Sequence, residues 1–316
     1  MIPLQIKLGC DIKKTMVKTN NAPAKPRLAS TVILIRQVGE ELQIYLLKRN
    51  AKSRFMAGNY VFPGGTVDRQ DRNIDFWKSH LDMDLKSITM QLGGNLSGEE
   101  ALIYGVTAIR EMFEEAGVLL AHRKKQNKGD IKRICSLRMS SGLSKGWLEE
   151  LVDVGWILEL SRLGRWAHWI TPELMPQRYD TRFFMVFMPG GQECTPDFIE
   201  VTHGIWINPE KGLSGNSKGE IPLSPPTLVT LHELLKFSRI KALKKEMKNR
   251  TWGKPLLPRM IASHQGKMFL EPWDPMFNEK VDINTNGLKK MILPVDKPFS
   301  RLWFHEGLWK PVGIEQ

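Results

Sequence analysis

Arg110-Glu111-Met112-Phe113-Glu114-Glu115-Ala116-Gly117-Val118 is the stretch whose reading decides the fold. Glu111, Glu114 and Glu115 stand at i, i+3 and i+4, so a helix sets three carboxylates along one side. The helix is well signalled. Ser97 suits the N-cap, and Glu100, three places on, completes a capping box. Leu102, Val106, Ile109, Phe113 and Ala116 space one apolar stripe, and Gly117 can supply a left-handed C-terminal residue. The spacing predicts a helix over 98–116. Carboxylates this close repel, and a protein that keeps them together commonly holds a divalent cation between them. Hard oxygen donors suit Mg²⁺ or Mn²⁺. Glu111, Glu114 and Glu115 are thus the candidate metal ligands and, with Arg110, the candidate catalytic set. On its own, an acidic helix face of this kind is more often simply solvated.

Outward from that helix, Tyr60-Val61-Phe62 reads as a short strand that stops at Pro63-Gly64-Gly65. Gly64 and Gly65 let the backbone approach a phosphate or shape a turn, which makes them candidate substrate-binding positions. Diphosphate hydrolysis needs both parts: a cation to neutralise phosphate oxygens and activate water, and a carboxylate to take the proton. Further upstream, residues 29–36 and 42–48 read as two strands joined at Gly39-Glu40. Between the strand and the helix, 66–96 is charged and irregular, with one helix expected near 74–87. Past the helix, 123–133 reads as a solvated basic loop and 145–162 as helical. Arg182 to Met188 and Gly204 to Asn208 read as strands, and Pro226 to Phe237 as a helix. The remainder, 238–316, opens with a basic helical stretch (Lys241, Lys244, Lys245, Lys248, Arg250) and turns rich in Pro, Gly and Trp. Residues 1–27 read as a basic tail.

Composition sets the outer limits. The 316 residues are 41% hydrophobic and 25% charged, ordinary for a globular protein, and no apolar run is long enough for a membrane span. A net charge of +12 favours anionic partners without choosing among them. Cys10, Cys135 and Cys194 lie far apart with no CxxC pair, against both a zinc site and a disulfide framework. The chain ends Gly-Ile-Glu-Gln, which is not a peroxisomal tripeptide address.

The strand-end glycines and the acidic helix, taken together and in order, resemble the Nudix box. Gly65, Arg110, Glu111, Met112, Glu114, Glu115, Gly117 and Val118 match it. The departure is spacing: Arg110 lies 45 positions after Gly65, so an insertion of 31 residues splits the box. For the box's upstream Glu, Asp71 holds the place counted from Gly65, while Glu99 or Glu100 could stand in near the helix. Leu46 to Gly58, with Phe62-Pro63-Gly64-Gly65, resembles the signature of coenzyme A-cleaving Nudix enzymes. Arg49 and Arg54 fall at its spacing, whereas Lys48 and Asn50 depart from it. Coenzyme A carries a diphosphate and a 3′-phosphate, for which guanidinium forks are apt.

The split box, Trp166 to Pro172, Arg178 to Phe184 and Leu223-Ser224-Pro225-Pro226 resemble the acyl-coenzyme A diphosphatase branch called nucleoside diphosphate-linked moiety X motif 19, over about residues 28–237. The resemblance implies a Nudix α/β/α sandwich with a mixed central sheet, the 66–96 insertion inside the box and a C-terminal extension. It implies metal-dependent hydrolysis of coenzyme A and acyl-coenzyme A at the diphosphate. It also implies a peroxisomal or mitochondrial setting. Trp166 and Trp169 are expected in the core, His168 as a structural partner rather than a base, and His203 and Trp206 in no catalytic role. Glu200 resembles the place where some Nudix enzymes supply an extra carboxylate. Two rivals stay open: another diphosphate substrate (ADP-ribose, a dinucleotide or capped RNA), and a non-catalytic RNA-binding protein on this scaffold. The intact carboxylates weigh against the second, and nucleic acid is the less favoured partner.

Overall fold

The computed structural model describes residues 22–53, 55–123 and 129–314. Arg54, most of the expected N-terminal tail and part of the basic 123–133 stretch lie outside the described residues.

The central sheet has seven strands: β1 (Arg27–Val38), β2 (Glu41–Arg49), β3 (Tyr60–Val61), β4 (Gly64–Thr66), then, after a small separate pair β5 (Ala121–His122) and β6 (Ile157–Leu158), β7 (Gly164–Ile170), β8 (Tyr179–Phe187) and β9 (Val201–Ile207). Its order is β3-β2-β1-β8-β7, with β4 also on β1 and β9 also on β2. β1 and β8 run parallel from Arg27↔Tyr179 to Ile35↔Phe187; the other pairings in this sheet are antiparallel. The hairpin falls where the sequence places it, closing Val38 against Glu41 across Gly39, which sits at φ +58°.

Side chains alternate across a strand, so a strand apolar at every position must be covered on both faces. In β1, Val32 and Leu34 enter one core and Ile33 and Ile35 the other. β2 divides Tyr45 and Leu47 from Ile44 and Leu46, and β8 divides Phe184 and Val186 from Phe183 and Met185. Helix Gly98–Ala116 and helix Trp147–Asp153 cover the first face. Helices Pro209–Lys218, Pro225–Leu234 and Ile240–Asn249 cover the second, through Leu213, Leu228, Leu231 and Leu243. The result is the expected sandwich around a mixed sheet.

Several local expectations are corrected. The single helix near 74–87 is two one-turn helices, Ile74–Trp77 and Leu85–Ile88, because Asp84 caps a new start by accepting from the Ser87 N–H at 2.8 Å. The 123–133 stretch is not all loop: helix Asp130–Ser141 begins inside it. Helix over 145–162 is limited to Trp147–Asp153, since the chain turns at Gly155 with φ +91°. β7 had no strand expectation at all.

The 31-residue interruption of the box is structural rather than a free excursion: Trp77, Ile88 and Leu92 are fully buried in the first core. The Pro-, Gly- and Trp-rich end of the chain forms a second, antiparallel sheet of β10 (Arg259–Ser263), β11 (Gly266–Leu270), β12 (Arg301–His305) and β13 (Leu308–Val312). One face closes over Met268, Leu270, Trp303 and Val312, while Phe269, Leu302 and Trp309 join the second core of the main sheet. Leu256 ties the connecting segment to the outer edge of β7, donating its N–H to the His168 carbonyl at 2.7 Å.

Candidate functional site

Helix Gly98–Ala116 is fixed at both ends as its sequence demands. Ser97 accepts from the Glu100 N–H at 3.1 Å, Glu100 accepts from the Ser97 N–H at 2.8 Å, and Gly117 ends the helix at φ +71°. Thirteen of its residues are buried, so the acidic stretch cannot rotate away from the sheet.

Within that frame the three glutamates part company. The Gly64 N–H donates to Glu115 Oε2 at 2.8 Å, and a Cβ at Gly65 would run into the Glu111 carboxylate. Both glycines therefore let the β4 backbone press against these two side chains. Glu114 is occupied otherwise: Trp147 Nε1 donates to its Oε1 at 2.7 Å and Arg110 Nη1 to its Oε2 at 2.8 Å. The face is not simply solvated, because Glu115 is only 3% exposed. Glu111 and Glu115 border the glycine turn, and Glu114 is held by Trp147. Among the described residues no group of three or more His, Cys, Asp or Glu is drawn together as a metal cage.

Arg110 is a clamp. Its Nη1 also donates to Glu111 at 2.9 Å, Nη2 to the Thr66 carbonyl at 2.9 Å, and Nε and Nη2 to the two Asp71 oxygens at 2.9 and 2.8 Å. Asp71 is fully buried and also accepts from the Thr107 hydroxyl and the Asp68 N–H. Of the three acids considered for the upstream position, Asp71 is the one that reaches the box. Glu100 is spent on the cap, and Glu99 pairs with Lys78 at 3.5 Å.

A cavity of about 330 Å³ opens beside β4. It is bordered by Arg27, Arg49, Gly64, Gly65, Glu111 and Glu200. Apolar side chains, Trp169, Met175 and Phe269 among them, line it as well. Burial, then repulsion from Glu114, pushes the Glu111 carboxyl up to about 8, against the pull of Arg110. Glu115 is raised well above the usual carboxylate range, first by burial and then by Glu111 and Glu200, while Gly64 and Arg49 oppose the shift. Glu111 and Glu200 thus both act on the Glu115 carboxyl. These hard oxygen donors fit a divalent cation.

Glu200 is held at the end of a fixed turn. The Asp197 carboxylate accepts the N–H groups of Ile199, Glu200 and Val201 at 2.9 to 3.2 Å, and the Glu200 carbonyl accepts from the Asn50 N–H at 3.0 Å. His168 lies buried, its Nε2 2.6 Å from Asp180 Oδ1, and it does not border the cavity. Trp166 and Trp169 are buried. Trp206 packs on Tyr45 under the Arg36 guanidinium, and His203 is exposed on β9. Sequence reasoning missed Arg27, Met175, Trp147 and Phe269. Each reaches the site from another element, and none carries a local motif.

The description NUDT19 Nudix domain matches residues 19–234. The chain is 27% identical over 281 residues to the acyl-coenzyme A diphosphatase NUDT19 of Xenopus laevis, covering 77% of this chain and 73% of that one. To the human protein of the same name it is 25% identical over 314 residues, covering 85% and 83%. Among solved structures, a NUDIX hydrolase from Alicyclobacillus acidocaldarius superposes with a TM-score of 0.55 at 22% identity, covering 72% of this chain and 98% of that one.

Proposed function

We propose, because this chain belongs to the NUDT19 Nudix domain family, that this Nudix hydrolase cleaves the diphosphate of coenzyme A and its acyl esters. The products would be 3′,5′-ADP and (acyl) 4′-phosphopantetheine. The observation that carries this reading is the mixed lining of one cavity. Carboxylates and arginines border it, as a diphosphate with a 3′-phosphate requires, and so do apolar side chains, as an acyl-pantetheine arm requires. The relatives named acyl-coenzyme A diphosphatase support it.

Nudix hydrolases generally use divalent metal ions. Here Glu111 and Glu115 would hold Mg²⁺ or Mn²⁺, with Glu114 as the outer member of the set. The ion's contribution is to neutralise phosphate oxygens and lower the pKa of water. Glu200, which lines the cavity and whose backbone N–H is held by Asp197, would take the proton from the attacking water. The water oxygen bonds to one phosphorus, the bridging P–O bond breaks, and the leaving phosphate keeps the electron pair. Arg49 borders the same cavity and would bind a phosphate oxygen. Arg110 is consumed by five oxygens of four residues, and its part is to hold Glu111, Glu114 and the interruption in place.

The deciding experiment is a substrate panel with Mg²⁺ or Mn²⁺ and product masses. Free coenzyme A and acyl esters should be turned over faster than ADP-ribose, a dinucleotide or capped RNA. A preference for any of those three would leave the Nudix assignment and remove this substrate.

A further inference from the structure

We infer that the C-terminal sheet supplies a wall of the reaction cavity, and that Phe269 and Met175, which both line it, set which acyl chains are accepted. The inference rests on the coenzyme A reading above and specifies the substrate arm. Pro258 and Phe269 both border the cavity, yet both lie after residue 234, where the family match stops. Pro258 and Phe269 are therefore an addition to the matched domain.

The wall is rigid. Phe269 sits in β11, between β10 and β12, and its ring lies 4.4 Å from that of Trp309. Both rings belong to the second core of the main sheet. Buried Asn216 locks the arrangement: its Nδ2 donates to the Trp309 carbonyl at 2.9 Å, and its Oδ1 accepts from the Leu223 N–H at 2.9 Å. The segment leading to Pro258 is tied to β7 through Leu256 on either side of Trp169.

The chemistry of this wall fits a chain rather than a phosphate. Helix Pro225–Leu234 starts at the cavity, and a helix start ordinarily offers N–H groups to an anion. Here Pro225 and Pro226 have no N–H, and the Ser224 and Thr227 hydroxyls bond each other at 2.8 Å. What is left to meet a ligand is the apolar surface of Trp169, Met175, Pro226, Pro258 and Phe269. A thioester-linked acyl chain needs no donor or acceptor there.

The test uses the full chain with Phe269→Leu and Met175→Trp, each checked for folding by circular dichroism. For each, kcat/KM is measured on butanoyl- and dodecanoyl-coenzyme A, and inhibition by S-dodecanoyl-pantetheine is compared with inhibition by 3′,5′-ADP. Phe269→Leu opens the wall, so the dodecanoyl-to-butanoyl ratio should rise by about fourfold for each further methylene that gains a buried place. Met175→Trp fills the same cavity and should lower it. Inhibition by S-dodecanoyl-pantetheine should follow the ratio, and inhibition by 3′,5′-ADP should not. An unchanged ratio in the folded variants, or a change confined to 3′,5′-ADP, would overturn the inference and leave the coenzyme A reading standing. Wild type failing to cleave any coenzyme A ester would overturn both. Met175 is only half-buried, so its variant decides alone if Phe269→Leu does not fold.

Discussion

Asp71 and Arg110, separated by 39 positions, form a buried two-pronged ion pair with contacts of 2.9 and 2.8 Å. The pair straps the interrupted half of the box to the helix that carries the acids. Removing Arg110 leaves Asp71 a buried charge without a cation, which typically costs about 3–5 kcal/mol, whereas removing Asp71 leaves Arg110 its two glutamates. Arg110→Ala should lower the unfolding free energy measured in urea by that order, and Asp71→Ala by less. Asp71→Asn with Arg110→Met should recover part of the loss. Single variants as stable as wild type would show that the strap is ornamental.

The carboxylates should not be equal in turnover. Glu111→Gln and Glu115→Gln remove side chains that face the glycine turn, and kcat should fall by about 10²–10⁴, the scale of a lost acid–base or ion-holding group. Glu114→Gln keeps an oxygen for Arg110 or Trp147 and should fall by a smaller factor. Steady-state kinetics at saturating Mg²⁺ gives the order, and equal losses at all three positions would restore the three-ligand expectation.

Stability should depend on pH in a direction set by burial. Glu111 is raised from 4.5 to about 8 in the folded chain, and Glu115 moves the same way. A carboxyl with a raised folded pKa holds its proton more tightly in the native state. The unfolded chain ionises first, so stability falls as pH climbs from about 4.5 towards 8. Divalent cation bound to the ionised pair opposes that fall, so the gain in Tm on adding Mg²⁺ should be larger near pH 8 than near pH 5. Glu271, fully buried and raised to about 8 by burial alone, adds a slope that metal does not relieve. Glu271→Gln should flatten that part. Melting curves with and without chelator separate the two contributions.

Arg49 should read charge on the substrate. It borders the same cavity as Glu111 and Glu200, and its charge favours the ionised form of Glu115. Losing a desolvated charged contact costs about 2–5 kcal/mol. Arg49→Ala should raise KM for coenzyme A more than for dephospho-coenzyme A, which lacks only the 3′-phosphate. Equal losses on the two substrates would place Arg49 on the diphosphate instead. The same comparison applies to Arg54, whose surroundings lie outside the described residues.

Much of the scaffold is written locally. The capping box at Ser97 and Glu100, the stripe from Leu102 to Ala116, the Gly39 turn and the strand that stops at Pro63-Gly64-Gly65 each operate within a few neighbouring residues. A sequence pattern therefore carries them whole. β7 escaped notice because both its faces are covered, so Trp166, Ala167, His168 and Trp169 show no clean alternation, and the buried His168 is satisfied by Asp180 from β8.

The sequence by itself determined the box helix, the spacing of its glutamates and the glycine turn that meets them, since helix pitch and backbone sterics act over one or two turns. Only the tertiary structure decided which glutamates face that turn. Trp147 draws Glu114 aside, Asp71 claims Arg110, and Phe269 arrives from a sheet more than a hundred residues downstream. Those contacts join distant segments, and they exist because two cores must be filled from both faces of one sheet, a constraint on the whole chain that no short stretch of it contains.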